Sequence, residues 1–199
     1  MIIKLSPVRS VAELKVTKAG DTLILNGVAL DFTRLEDGAT LPAEAISNGW
    51  VARPVERING GLVVTLMLPH AADAPEFARF PVDILNPADG PVHLPGLDAG
   101  LAQQPVVNGV IDWSQAITQA MKGQAAAEQH LAQVAAQVAA RRDVADDAIA
   151  PLQDAVDLEE ATETEVAVLK AWKKYRIALI RVPDQPGYPG TIDWPAPPT

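Results

Sequence analysis

The stretch TLILNGVALDF, Thr22–Phe32, indicates how the first half of the chain folds. Two short apolar runs flank Asn26-Gly27, and both of these residues tolerate a positive φ, which is typical of a β-hairpin with a two-residue turn. The stretch VERINGGLVVTLMLP, Val55–Pro69, repeats the pattern around Asn59-Gly60-Gly61. We therefore predict a β-rich N-terminal domain over residues 1–95.

The strands of this domain are expected to be short and antiparallel. A third turn is predicted at Ala19-Gly20-Asp21, and Pro and Gly interrupt the sequence without any helical period. The predicted strands lie near residues 2–5, 13–17, 22–26, 28–32, 50–58 and 62–68. Beyond them, the composition is rich in Pro, Gly and Asn, which predicts a linker without regular elements over residues 96–112.

The second half of the chain has a helical pattern. Asp112 and Gln115 have the spacing of a helix N-cap and its third residue, and predict a long Ala-rich helix over residues 113–150. Written as heptads, the seam is weak, because most of its apolar positions are Ala and Arg141 interrupts it. Two interpretations follow: the helix lies on other parts of its own subunit, or it assembles with copies of itself or with a partner.

A short helical module with a Pro-rich tail is predicted over residues 151–199. Pro151 is expected to begin a new helix, and Thr162 with Glu165 forms a capping box ahead of a further helix. Pro183 ends that helix, and the 17 residues from Pro183 onward contain six prolines, so the tail is expected to be extended. The fold class is therefore α+β: a small antiparallel β domain, a long Ala-rich helix, and this module.

The composition excludes several classes of protein. The formal net charge of -9 argues against a broad surface for nucleic acid or anionic membranes. There is no Cys, which excludes disulfides and thiolate chemistry, and no apolar run approaches the roughly 20 residues of a membrane helix. The first residues lack the apolar core of a signal peptide. A soluble cytoplasmic protein is the simplest expectation.

No motif for catalysis, a metal or a cofactor is visible. The three His residues have no metal-binding spacing, and no glycine-rich phosphate loop or nucleophile elbow occurs. The acidic stretch 143–165 lacks the ligand spacing of a calcium loop and is interpreted as a solvated helix face. We expect neither an enzyme nor a cofactor.

The charges near the end of the chain are arranged in two blocks. Residues 146–168 carry eight acidic and no basic side chains, whereas residues 169–199 carry five basic and two acidic ones. We hypothesise that the acidic block packs near Lys170, Lys173 and Lys174 within one molecule. Exposed ion pairs of this kind would each contribute little to stability.

The last 40 residues also hold most of the large aromatic side chains. Trp172, Tyr175, Tyr188 and Trp194 are four of the six Trp and Tyr residues of the chain. Aromatic and Arg side chains commonly anchor protein–protein contacts, because they bury a large area at low entropic cost. The alternative is that Tyr188 and Trp194 fold back onto the last helix, and the two arrangements can coexist.

The stretch Leu152–Pro198 resembles the C-terminal domain of caudoviral tail fibre assembly proteins, the tail fibre chaperones of tailed phages. The resemblance rests on a Thr-x-x-Glu start, a helix with Leu-x-x-Trp-x-x-Tyr-Arg-x-x-Leu, and an aromatic-Pro and Ile-x-Trp-Pro-x-x-Pro ending. The matching positions are Thr162, Glu165, Leu169, Trp172, Tyr175, Arg176, Leu179, Tyr188, Pro189, Ile192, Trp194, Pro195 and Pro198.

This resemblance implies a non-enzymatic protein that binds the phage tail fibre protein and assists its folding or trimerisation in the host cytoplasm. An alternative is a virion subunit retained at the tail fibre or tail tip, where it would contribute to host attachment. An unrelated enzyme or small-molecule binder is disfavoured. The partner-binding residues implied by the resemblance are Trp172, Lys173, Tyr175, Arg176, Tyr188, Pro189, Trp194 and Pro195.

Overall fold

Two five-stranded sheets make up the first part of the chain in the computed structural model. The structure describes residues 1–97 and 105–198. The strands found there are β1 (Ile2–Arg9), β2 (Val16–Ala19), β3 (Thr22–Leu25), β4 (Val28–Asp31), β5 (Thr40–Leu41), β6 (Val55–Ile58), β7 (Gly61–His70), β8 (Ile84–Leu85), β9 (Gly90–Val92) and β10 (Val107–Asn108). The helices are α1 (Glu76–Arg79), α2 (Gln119–Asp157) and α3 (Glu163–Ile180).

Both predicted Asn-Gly turns connect hairpin strands. Asn26 and Gly27 have φ values of 48° and 83° between β3 and β4. Asn59 and Gly60 have φ values of 50° and 76° between β6 and β7, so Gly61 begins a strand instead of extending the turn. Two successive positive φ values give a turn whose twist matches that of the flanking strands, which explains why these dipeptides set the register.

The sheets are mixed, and this differs from the antiparallel arrangement predicted. Their strand orders are β5-β6-β7-β1-β8 and β10-β4-β3-β2-β9. The pairs β1–β7 and β10–β4 run parallel, with Ile2 opposite Val63 in the first of them. Turn residues report only on strands that are adjacent in sequence, so these long-range pairings left no local signal. The α+β class is nevertheless confirmed.

One hydrophobic core fills the β-rich part of the chain. Its largest fully buried side chain is Phe32, which follows β4, and Leu residues of β3 and β7 pack with it. Strand β7 is buried on most of its length, because β1 and β6 flank it on both sides. Consequently its sequence, apart from Thr65 and the last residue His70, is apolar instead of alternating.

The predicted linker is only partly irregular. Residues 98–104 of it lie outside the described residues, but β10 pairs with β4, and Ile111 forms a bridge with Ile46. Gly109 lies so close to Leu30 that a Cβ there would overlap its side chain. The chain divides into two compact units, Met1–Lys122 and Gly123–Thr199, so the first unit extends past the boundary predicted at residue 95.

Helix α2 begins six residues later than predicted and continues past Pro151. Ile117 exchanges two backbone hydrogen bonds with Thr40, at 2.8 and 2.9 Å, which keeps this stretch extended. Asp112 therefore caps only the 3₁₀ turn Trp113–Gln115. Pro151 lies inside α2, where it removes one backbone hydrogen bond, and Gln153 in the next turn binds Lys173 of α3. Such a contact helps to hold the helix together beyond the proline.

Helix α3 begins and ends where the sequence indicates. Thr162 and Glu165 form the complete capping box, with the Thr162 backbone N–H donating to the Glu165 carboxylate at 2.7 Å. Hydrogen bonds from the Thr162 backbone and hydroxyl lower the pKa of Glu165 below its ordinary value. A 3₁₀ turn, Val182–Asp184, follows α3, and the tail after it contains a cis Tyr188–Pro189 peptide. Among the described helices, none is both long and apolar enough to cross a membrane.

Candidate partner-binding site

The C-terminal unit is centred on a small aromatic cluster between α2 and α3. The rings of Trp172 and Tyr175 lie 5.7 Å apart in an edge-on arrangement at 79°. Tyr175 and Leu179 are buried against Ala145 of α2. Edge-to-face aromatic pairs of this kind stabilise beyond the area they bury, so Trp172 and Tyr175 act here as internal packing residues.

Trp194 of the tail packs against the same cluster. It is half-buried and contacts the core formed by Ala145, Tyr175 and Leu179. The guanidinium carbon of Arg141 lies 4.1 Å from the centroid of the Trp194 ring, which is a close cation–π contact. Trp194 therefore folds back onto the helices as predicted, whereas Tyr188, for which the same was predicted, is not among the residues packed on the cluster.

Polar contacts link α2 and α3 beside the cluster. The Arg176 guanidinium donates to the Asp146 carboxylate at 2.7 Å, and both side chains are partly exposed. Lys173 donates to the amide oxygen of Gln153. Among the described residues Lys170 and Lys174 make no ion pair, so the hypothesised attraction between the acidic and basic blocks is reduced to the pair between Arg176 and Asp146.

The remaining predicted residues lie in the tail. Tyr188, Pro189 and Pro195 are half-buried, and the Tyr188 backbone N–H donates to the carbonyl of Gln185 at 3.0 Å. The eight predicted residues thus fall into three groups: three aromatic side chains in the cluster, two basic side chains that join the helices, and three half-buried tail residues outside the cluster. All eight residues lie in the C-terminal unit, but they do not form one continuous contact surface: some pack on the cluster, some join the helices and some lie in the tail.

Sequence reasoning missed the α2 partners of these residues. Arg141 covers Trp194, Asp146 pairs with Arg176, and Gln153 accepts from Lys173. Arg141 did leave a signal, because it interrupts the apolar seam of the long helix. A charged side chain at such a position is explained by the indole ring that it covers. The sequence offers no comparable signal for Gln153.

The first unit carries a shallow cleft whose polar groups bind one another. It is lined in part by Arg57, Glu56 and Lys122. Arg57 donates to Asp21 at 2.9 Å and to three backbone carbonyls, while Lys122 donates to Gly38 and Thr40. These contacts occupy the Arg57 guanidinium and the Lys122 ammonium group. Within residues 1–97 and 105–198, no group of His, Asp and Glu side chains is placed to hold a metal ion.

The C-terminal region is similar to a known protein family. Residues 105–199 match the family described as Caudovirales tail fibre assembly protein, lambda gpK. The predicted resemblance to tail fibre assembly proteins is confirmed. The match also begins well before Leu152, where the sequence motif began, and so includes β10 and all of α2. The motif therefore marked only the end of a longer related region.

Curated relatives are similar to this chain over about 50 residues. The chain is 57% identical over 53 residues to the prophage tail fiber assembly protein homolog TfaR of Escherichia coli K12, covering 27% of each chain. It is 60% identical over 55 residues to Protein TfaD of the same strain, covering 28% of each. It is 58% identical over 55 residues to the tail fiber assembly protein of Escherichia phage lambda, covering 28% of this chain and 27% of the relative.

These alignments span little more than a quarter of the length of each of those relatives. No solved structure matches the chain.

Proposed function

We propose that this protein assists the assembly of a phage tail fibre: it binds the fibre protein and helps it to fold and trimerise. The observation that supports this most directly is the match of residues 105–199 to the tail fibre assembly family. The names of the curated relatives agree with it. The proposed place of action is the host cytoplasm, where fibre chains are made.

The proposed mechanism uses binding free energy alone. A β-rich fibre chain exposes apolar surface and strand edges before its trimer closes, and both promote aggregation. A protein that covers these surfaces until the partner chains arrive would raise the yield of correct trimers. This mechanism needs no nucleotide, metal or covalent step, and we therefore propose a non-enzymatic role.

Within the C-terminal unit, we assign different roles to the predicted partner-binding residues. The burial of Tyr175 and the packing of Trp172 and Trp194 support a role in shaping the unit. Tyr188, Pro189 and Pro195 are half-buried and are not among the residues packed on the cluster, which supports direct contact with the fibre protein. Lys173 and Arg176 would act mainly by holding α3 on α2.

Self-association through the long helix is a further part of the proposal. Every residue from 119 to 133 is exposed, including Met121 and Leu131. A second copy packed along this stretch would bury Met121 and Leu131, and most of the stability of helices in proteins comes from such packing. Sedimentation analysis over a range of concentrations tests this, since Leu131→Glu should favour the monomer if the helix is the contact.

A second candidate function is that of a virion subunit retained at the tail fibre or tail tip. The observation that favours it is the first unit, Met1–Lys122, which has a hydrophobic core of its own and could serve as a distal module. Mass spectrometry of purified phage particles separates the two roles. A transient assembly factor is absent from particles, whereas a subunit is present in fixed proportion to the fibre.

Co-expression tests the proposed function itself. The fibre gene is expressed alone and together with this protein, and the soluble trimeric fibre is quantified by light scattering after size-exclusion chromatography. We expect soluble trimer only, or mainly, in the co-expressed sample. An equal yield of trimer without this protein would contradict the proposal.

A further inference from the structure

A single side chain closes the loop between Gln185 and Asp193. The Gln185 side-chain amide N–H donates to the carbonyl of Asp193 at 2.8 Å. The Asp193 backbone N–H donates in return to the Gln185 side-chain oxygen at 2.9 Å. The side-chain amide thus pairs with the backbone N–H and carbonyl of one residue, as a neighbouring β-strand would, and it uses one donor and one acceptor to do so.

Backbone contacts fix the loop between these two residues. The Tyr188 N–H donates to the Gln185 carbonyl at 3.0 Å, and the Thr191 N–H donates to the Gly187 carbonyl at 2.7 Å. A Cβ on Gly187 would overlap the carbonyl oxygen of Thr191, so no other residue fits there without a backbone shift. Four hydrogen bonds and one glycine therefore determine the shape of nine residues.

The loop has this shape although none of its nine residues is fully buried. Pro186, Gly187, Gly190 and Thr191 are exposed, and Tyr188 is only half-buried. Hydrogen bonds at an exposed site compete with water and contribute little to the stability of a fold. A surface loop held in one shape is, however, valuable for binding, because the entropy of ordering it is not lost when the partner arrives.

The flanking residues separate this loop from the packed part of the unit. Val182 is buried immediately before it, and Trp194 lies under Arg141 immediately after it. Both ends of the loop are therefore anchored independently of Gln185. Loss of the Gln185 contacts should loosen the loop without releasing either end.

We propose that Gln185 and Gly187 are positioning residues, which hold Tyr188 and Pro189 in the conformation that the fibre protein binds. This inference rests on the proposed function, since it requires the fibre protein as partner. Gln185 and Gly187 act through the shape of the loop and need no contact with the partner. Tyr188 supplies an aromatic ring and Pro189 a rigid apolar one, which are suitable groups for an apolar protein surface.

The test uses the full chain and fibre protein obtained by co-expression, with two measurements on each variant. In Gln185→Ala, amide hydrogen exchange at Asp193 should become faster, and the affinity for the fibre should fall about five- to tenfold, because two hydrogen bonds that preorganise the loop are lost. Gln185→Glu keeps the acceptor and loses the donor, so its affinity should lie between that of Gln185→Ala and the wild type. The melting temperature should change by no more than about 2 °C, as for other surface substitutions.

Gly187→Ala and Gln137→Ala complete the series. Gly187→Ala disturbs the same loop by a different route and should weaken fibre binding in the same way. Gln137 is an exposed amide on α2, and its replacement should leave both exchange at Asp193 and affinity unchanged. Wild-type affinity in both Gln185→Ala and Gly187→Ala would overturn the inference while leaving the proposed function intact. A wild-type protein that does not bind the fibre would instead overturn the proposed function, and this inference with it.

Discussion

The two units of the chain are stabilised in different ways. Among the described residues, 20 buried side chains of the first unit form one apolar core, whereas the cluster of the C-terminal unit has three buried residues and two half-buried tryptophans. Other buried residues of the C-terminal unit lie outside this cluster: Val134, Ile149, Leu169 and Val182. In the first unit, stability is spread over many side chains. In the C-terminal unit, each contact carries a larger share, and one of the main contributors, Trp194, comes from the tail. Because the cluster of the C-terminal unit is small, Trp194 of the tail forms a substantial part of its packing.

The largest effect is expected in the core of the first unit. Phe32 is fully buried there, so Phe32→Ala should lower the free energy of unfolding by about 3–5 kcal/mol, through lost burial and the cavity left behind. Urea denaturation followed by far-UV circular dichroism measures this. Phe77, which is 60% exposed, provides the control, and Phe77→Ala should cost well under about 1 kcal/mol. Similar costs for both variants would contradict the assigned core.

A somewhat smaller effect is expected at the centre of the C-terminal unit. Leu179→Ala removes a fully buried aliphatic side chain of the cluster and should cost about 2–4 kcal/mol. Because Trp172 and Trp194 lie beside it, the loss should be visible as an earlier fluorescence transition in urea. Ile177, on the exposed side of the same helix, is the matched control, and Ile177→Ala should leave the transition nearly in place.

The cation–π contact should contribute less again. Arg141→Ala should lower the stability of the C-terminal unit by about 1 kcal/mol, because the guanidinium covers the Trp194 ring. Arg142 is exposed next to it, and Arg142→Ala removes the same charge without this contact. The difference between the two urea midpoints therefore isolates the contact. Equal midpoints would show that Trp194 does not depend on Arg141.

The smallest effect concerns the capping box and depends on pH. The folded pKa of Glu165 is lowered by its bonds to Thr162, so its ionised form contributes stability above the unfolded pKa of about 4.3, and this is lost as the pH falls through the folded pKa. Glu165→Gln keeps an acceptor and cannot ionise. The wild type should therefore melt slightly above the variant at pH 7 and together with it near pH 2. A constant difference at both values would contradict this.

The sequence predicts those parts of the fold that have local causes. The Asn-Gly hairpins, the capping box at Thr162 and the end of α3 before Pro183 all follow from residues that are close in sequence. The parallel pairing of β1 with β7 and the late start of α2 at Gln119 depend on contacts with distant residues, which no local pattern encodes. For such elements, tertiary contacts override local preference.

The same distinction applies to the candidate site. The aromatic and proline residues of the tail could be named from the sequence, because their composition is unusual for that part of the chain. The sequence could not show which of these side chains pack on the helices, because the packing of Trp194 involves Arg141, 53 positions earlier. The two hydrogen bonds between Gln185 and Asp193 could not be predicted either, since a Gln next to Pro has no distinctive sequence pattern. Composition thus identified the candidate residues. The structure then divided them into residues that pack on the small core and residues that lie outside it.

That division can be tested directly by comparing Trp194→Ala with Tyr188→Ala. Each variant is measured twice, once for its urea midpoint followed by circular dichroism and once for its affinity for the fibre protein. We expect Trp194→Ala to lower the midpoint, because the ring packs on the small core, and Tyr188→Ala to keep the midpoint and weaken fibre binding. A stable Trp194→Ala protein that has lost fibre binding, together with a Tyr188→Ala protein that binds normally, would contradict the account.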